Sequence, residues 1–246
     1  MFRLHQTPAP LTEKYPWMSL HVYCANNPMK YVDPFGLTHY SIDSLGYVSV
    51  MKDSDGNILG KKDKFDMLFS GNNSIRVNDQ GLLPQLAGGG KDEAFGITSN
   101  SNDAFNVFKF AADNSKVEWS LSGFKDSKST QYYLNTEYVN TQASTGLGSV
   151  FEAKDMLFNV HSHSRGNSTK GGSGYMYNPH TKTYDSYYTG TDASVVTDLH
   201  LQGYNPNMYV YHRYTQGLFQ YTPQTPRARS WSNINSVQKL RNAMRR

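Results

Sequence analysis

The sequence predicts an α/β (α+β) fold: a mixed β-sheet flanked by helices, preceded by a β-rich extension. Three observations lead there. Residues 116–121 alternate with period 2 as a strand does, while Ala104, Phe105, Val107, Phe108 and Ala111 have helical spacing. Hydrophobic content is only 37%, but aromatics make up 13%, with 18 tyrosines and 12 phenylalanines to supply the burial. Tyrosine offers apolar area and keeps a polar tip, which suits strands with one wet face. Finally, 246 residues are enough for one core with accessories.

Three zones make up the chain. Residues 1–37 are crowded with turn formers, among them Pro16-Trp17, Asn26-Asn27-Pro28 and Asp33-Pro34-Phe35-Gly36, around a short strand candidate Leu20-His21-Val22-Tyr23. Residues 38–92 form the β-rich extension. Tyr47-Val48-Ser49-Val50 alternates, Asp55-Gly56 supplies a turn and Ile58-Leu59 returns as a hairpin. A second pair is expected around Met67-Leu68-Phe69 and Ile75-Arg76-Val77, and Gly88-Gly89-Gly90 reads as a joint.

Residues 93–246 carry the chemistry. Ser101-Asn102-Asp103 can cap the first helix. The strand at 116–121 sets Val117, Trp119 and Leu121 on one face and Glu118 and Ser120 on the other. Tyr132-Tyr133-Leu134 and Met156-Leu157-Phe158-Asn159-Val160 are further strands. Residues 164–188, rich in Gly, Ser and Asn, read as a long loop. Residues 192–202 form a helix ended by Gly203, followed by strands at Tyr209-Val210-Tyr211 and Phe219-Gln220-Tyr221. Trp231, Ile234, Val237, Leu240 and Met244 then have helical spacing.

Composition excludes several classes. Cys24 is the only cysteine, so there is no intrachain disulfide and no Cys-rich zinc site. No apolar run approaches the roughly 20 residues that span a bilayer. The first thirty residues lack a signal-type apolar core, so export is expected to use a dedicated secretion system or a larger parent. The net charge is +4, with six basic and no acidic residues across 227–246. A solvated face accounts for such a tail, and no nucleic-acid partner is expected from it.

The most informative stretch is Leu157-Phe158-Asn159-Val160-His161-Ser162-His163. On a strand, residues i and i+2 share a face about 6.6 Å apart, so two imidazoles can converge on one ion. Neutral imidazole is a usual zinc ligand, and a catalytic zinc needs a third ligand and an open position. Asp192, at the start of a helix after Thr189-Gly190-Thr191, is the candidate third ligand. The Thr189 hydroxyl can donate to a substrate oxyanion. A proton acceptor is also required. Among five glutamates, Glu118 stands on a core-like strand, where a carboxylate is costly without a partner or a task.

This order of residues resembles the JAB/MPN (JAMM) metalloprotease family, whose pattern is Glu on an early strand, then His-x-His, then Ser-x-x-Asp. His161-Ser162-His163 matches the pair, Asp192 the final ligand, and Thr189 stands where the family has Ser. Glu118, in Glu-Trp-Ser-Leu-Ser-Gly, looks like the catalytic glutamate. The resemblance covers about 105–221 and implies a cytidine-deaminase-like core. It further implies attack by zinc-activated water on a peptide or isopeptide carbonyl. Two departures stand out: a longer segment after His163, carrying His180 as a rival ligand, and Ser164 where the family commonly has proline.

A second resemblance lies in residues 28–37. Pro28, Asp33, Pro34, Gly36 and Leu37 match the pattern Pro-x4-Asp-Pro-x-Gly-Leu that ends the Rhs-repeat-associated core. In such proteins the seam separates a shell from a C-terminal polymorphic toxin. The resemblance implies self-cleavage at Leu37 with Asp33 in the cleaving role, delivery into a competitor or host cell, and a cognate immunity protein that covers the cleft. The rival reading is a metal-dependent HNH-type nuclease toxin using His161 or His163, Asn178 and His180, with the basic tail on phosphates. It leaves Glu118 and the Thr189–Asp192 unit unexplained.

Overall fold

A computed structural model describes residues 38–59, 65–127, 129–139, 151–163, 171–186 and 191–245. The seam at Pro28 to Leu37 and Thr189 lie outside the described residues. Among the described residues the architecture is α+β, with mixed sheets flanked by four helices.

The extension builds a four-stranded sheet. Its strands are β1 (His39–Ile42), β2 (Val48–Val50), β3 (Asp66–Ser70) and β4 (Asn73–Val77), in the order β2-β1-β3-β4. The pair at 67–69 and 75–77 forms as expected. The hairpin expected at 47–59 forms only at its tip: β2 pairs with β1, while the turn at Asp55-Gly56 closes through a Lys52–Ile58 bridge and a Leu59 N–H to Met51 carbonyl bond. A short helix α1 (Leu82–Ala87) precedes the glycine run, and Gly89 packs against Ala94.

The larger sheet has seven strands. They are β5 (Ala94–Thr98), β6 (Ser120–Lys125), β7 (Thr130–Thr136), β8 (Met156–His163), β11 (Asn207–His212), β12 (Gly217–Thr222) and β13 (Thr225–Trp231). Their order is β13-β12-β11-β8-β6-β7-β5. Only β8 and β11 run parallel, and such a pair needs a crossover. The crossover holds a small hairpin, β9 (Tyr175–Asn178) and β10 (Thr183–Ser186), and then helix α3 (Asp192–Leu201).

Helix α2 (Ser101–Asn114) is capped by Asn100, one residue before the predicted cap; the Asn100 side chain accepts from the N–H groups of Asn102 and Asp103. It buries Ala104, Val107, Phe108 and Ala111 against Trp119, Leu121, Val160, Tyr209 and Tyr211. Full burial of a side chain such as Phe108 contributes about 1.5–3 kcal/mol. The closing helix α4 (Val237–Met244) adds Leu240 to the same cluster, which also takes in Tyr40, Leu68 and Leu83 from the extension. Trp231, predicted as part of this helix, belongs instead to β13.

The opposite face of the sheet packs on α3. Val196 and Leu199 meet Phe124, Met156, Met208, Val210 and Tyr221. The sheet is therefore covered on both faces, and Glu118 and Ser120, predicted to face away from the core, are as buried as their apolar neighbours.

Candidate metal centre

Strand β8 continues through both histidines, so His161 and His163 share one face of the sheet. That face is the one under α3. Helix α3 begins with Asp192, capped by Thr191, whose side chain accepts from the Ser194 N–H while Ser194 Oγ accepts from the Thr191 N–H. Capping sets the helix start, and the crossover sets it at the carboxyl end of β8, where side chains in parallel strands and a helix N-terminus meet.

The donor atoms converge. His161 Nε2 lies 3.2 Å from His163 Nε2 and 3.3 Å from Asp192 Oδ1, and His163 Nε2 is 3.8 Å from Asp192 Oδ2. Zinc bonds of about 2.0–2.2 Å in a tetrahedral arrangement imply donor separations of about 3.3 Å. The residues present thus fit a zinc-like ion: two imidazole nitrogens and one carboxylate oxygen, close to that spacing, as a triad compatible with metal binding. His161 and His163 are 7% and 2% exposed, and the Asp192 side chain 17%.

Asp192 is held from behind. The second oxygen of Asp192, Oδ2, accepts from the Ser173 N–H at 2.7 Å. Burial acts to raise the Asp192 pKa, but the neighbouring His161 and hydrogen bonds with His161 and His163 outweigh it and hold the carboxyl well below its usual value. Tyr221 is fully buried beside the triad, its ring centroid 6.1 Å from that of His161, and burial with the nearby Asp192 charge pushes its hydroxyl pKa far up. Tyr175, raised for the same reasons, donates to the Thr222 carbonyl at 2.6 Å. Both phenols stay protonated; Tyr175 serves as a donor and Tyr221 as a wall beside His161.

Glu118 stands just before β6, antiparallel to β8. Ser120 pairs with His161, and the Ser162 N–H donates to the Trp119 carbonyl. Continuing this register places Glu118 opposite His163, on the face that carries the triad. It is 3% exposed. The fold thus brings His161, His163 and Asp192 together, and the extended register sets Glu118 on the side of the sheet that carries the two histidines.

Other expectations change. The segment read as a long loop contains the β9–β10 hairpin, and Asn178 and His180 sit at its exposed turn, where the His180 N–H donates to Asn178 Oδ1. The surrounding Gly and Ser hide its alternation. His180 is not part of the triad. Part of the basic tail, Arg227 and Arg229, lies on the edge strand β13.

Asn159, Ser173 and His212 were missed. Asn159 lies two residues before His161 on the same face, and His212 sits beside His163 in the parallel register. One signal was available: Glu118-x-Ser120-x-Ser122, running into β6, and Asn159-x-His161-x-His163 on β8 both place polar groups at period 2 among apolar residues.

No curated protein and no solved structure is found to match the chain. A family model does: JAB-like toxin 1 matches residues 96–195, a stretch that runs from β5 into α3 and includes Glu118, His161, His163 and Asp192. The sheet, the convergent triad and this match together support a JAB-like toxin domain in that part of the chain.

Proposed function

We propose that the chain is a zinc-dependent hydrolase of peptide or isopeptide bonds, acting as the C-terminal toxin of a larger polypeptide delivered into competitor or host cells. One observation carries this reading: two imidazole nitrogens and a carboxylate oxygen converge at zinc-like spacing in a buried site. His161, His163 and Asp192 would hold the ion. Zinc bound there supplies a Lewis acid for the scissile carbonyl and a water that ionises near neutral pH. The Glu118 carboxylate accepts the proton of the attacking water and returns it to the leaving amine, a role worth about 10²–10⁴-fold in rate. Thr189 donates its hydroxyl to the developing oxyanion.

Delivery is supported by the toxin family matched over 96–195 and by the Rhs-like pattern at Pro28 to Leu37. Among the described residues no helix is long and apolar enough to cross a membrane. The partners proposed are a parent Rhs shell or secretion machinery, a protein or peptide substrate, and an immunity protein that covers the cleft. The nuclease alternative loses support because His180 and Asn178 stand at the hairpin turn rather than with the triad.

The test is expression in cells of the wild type, His163→Ala and Glu118→Gln, with metal content measured on each purified protein. His163→Ala is expected to lose both zinc and toxicity; Glu118→Gln is expected to keep zinc and lose toxicity. Equal toxicity of all three refutes the hydrolase reading, as does a wild-type protein that retains no divalent metal.

A further inference from the structure

A histidine can bind an ion through only one ring nitrogen at a time, and the hydrogen bond made by the other nitrogen decides which. For His161 that second contact is Asn159. Asn159 is 1% exposed, and Ser120 and Ser122 are fully buried. The antiparallel register sets Ser122 opposite Asn159 and Ser120 opposite His161, so all four side chains share one face. The Asn159 amide nitrogen Nδ2 donates to Ser120 Oγ at 2.7 Å and to Ser122 Oγ at 2.9 Å. Its Oδ1 then faces His161 Nδ1 at 3.4 Å.

A carboxamide oxygen only accepts. A neutral His161 that meets it carries its proton on Nδ1 and its lone pair on Nε2. Nε2 is the atom that lies 3.2 Å from His163 Nε2 and 3.3 Å from Asp192 Oδ1. The opposite amide orientation would turn an N–H group toward Nδ1, move the ring proton to Nε2 and aim it into the triad. No lone pair would then be left for an ion.

We propose that Asn159, clamped by Ser120 and Ser122, is a positioning residue that selects the Nδ1–H form of His161 and so presents Nε2 as a metal ligand. The inference rests on the metal reading above. Coordination at Nε2 withdraws charge from the ring and makes Nδ1–H a stronger donor, so the 3.4 Å contact shortens when an ion is held. Loss of such an outer partner typically weakens metal binding by about 10–100-fold.

The test is zinc titration of the full chain against a chromophoric chelator, with cobalt(II) absorption as a second readout of the ligand set. Asn159→Leu is expected to bind zinc about 10–100-fold more weakly and to change the cobalt bands. Asn159→Asp keeps an acceptor facing Nδ1, and the two serine hydroxyls can turn to donate to it, so it is expected to recover most of the affinity. If Asn159→Leu does not fold, Ser120→Ala/Ser122→Ala decides: it keeps Asn159 but removes the two hydroxyls that hold its amide in place, and is expected to weaken binding. Wild-type affinity in Asn159→Leu, or in the double serine variant, overturns the inference and leaves the metal reading standing. Equal weakness of the Leu and Asp variants overturns it too, because the acceptor would then not be what matters. A wild-type chain that binds no divalent ion overturns the metal reading and this inference with it.

Discussion

Gly174 turns the chain under the N-terminus of α3 with φ +78°, and a Cβ built there would stand 2.1 Å from Thr191 Oγ1 and 2.4 Å from Thr191 Cβ. Thr191 is the cap of α3, and Ser173, next to Gly174, holds Asp192 Oδ2. Gly174→Ala therefore meets two costs. A left-handed backbone at a residue with a Cβ costs about 1–2 kcal/mol, and displacing the cap costs about 1 kcal/mol. The stiffer unfolded chain offsets about 0.4–1 kcal/mol. The net loss is about 2 kcal/mol, a fall in Tm of about 4–8 °C for a chain of this size. Gly56 is the control, because its φ is +82° but nothing lies within 4 Å of a Cβ. Gly56→Ala meets only the backbone cost, a net of about 1 kcal/mol or less. Thermal unfolding followed by circular dichroism, with zinc titrations on the same samples, measures both. Gly174→Ala is expected to melt lower than Gly56→Ala and to bind zinc more weakly than wild type, whereas Gly56→Ala keeps wild-type affinity. Combined with Thr191→Ala, Gly174→Ala is expected to cost less than the sum of the two. Equal melting of the two glycine variants would refute the close contact between Gly174 and the cap.

Buried groups set the other expected outcomes. Phe108→Ala empties a fully buried site between α2 and the sheet, and chemical denaturation is expected to show a loss of about 3–5 kcal/mol; a loss under about 1 kcal/mol would contradict that packing. The Asp192 pKa lies below its unfolded value of 3.8, so its contribution is present above that pH and is lost as pH falls below it. In metal-free protein, Asp192→Asn is thus expected to melt below wild type at pH 5, with the gap closing toward pH 2; a gap that widens on acidification would reverse the assigned sign. The Tyr138 hydroxyl is pushed up to about 12 by burial, with Tyr47 and Asp43 adding to it. The unfolded chain releases that proton from about pH 10, so the contribution is full below pH 10 and lost as pH rises through 12. Tyr138→Phe should flatten the alkaline fall in Tm between pH 10 and 12, and an unchanged slope would count against it.

Much of the site was legible because its logic is local. Period 2 on β8 is enough to put His161 and His163 on one face, and period 2 before β6 is enough to set Glu118 with Ser120. The start of α3 was legible within a residue because capping is written in adjacent side chains, Thr191 and Asp192. The elements that were missed take their stability from neighbours. The edge strand β13 is polar and largely exposed and exists by pairing with β12, so its sequence reads as a tail. The β9–β10 hairpin is short, and its aromatic pairs, such as Tyr177 with Tyr184, form only once the strands meet.

Pairing decided the rest. Residue spacing names two histidines and several candidate acids, but no spacing says that β8 lies between β6 and β11. That order buries Glu118 on the face that carries the triad and puts Asn159 within reach of Ser120 and Ser122. It also brings Asp192, rather than His180, within 3.3 Å of His161. Side-chain alternation is a property of one strand and survives in the sequence. Which strands are neighbours depends on closing long loops and burying both faces of a sheet at once, and only the folded chain carries that information.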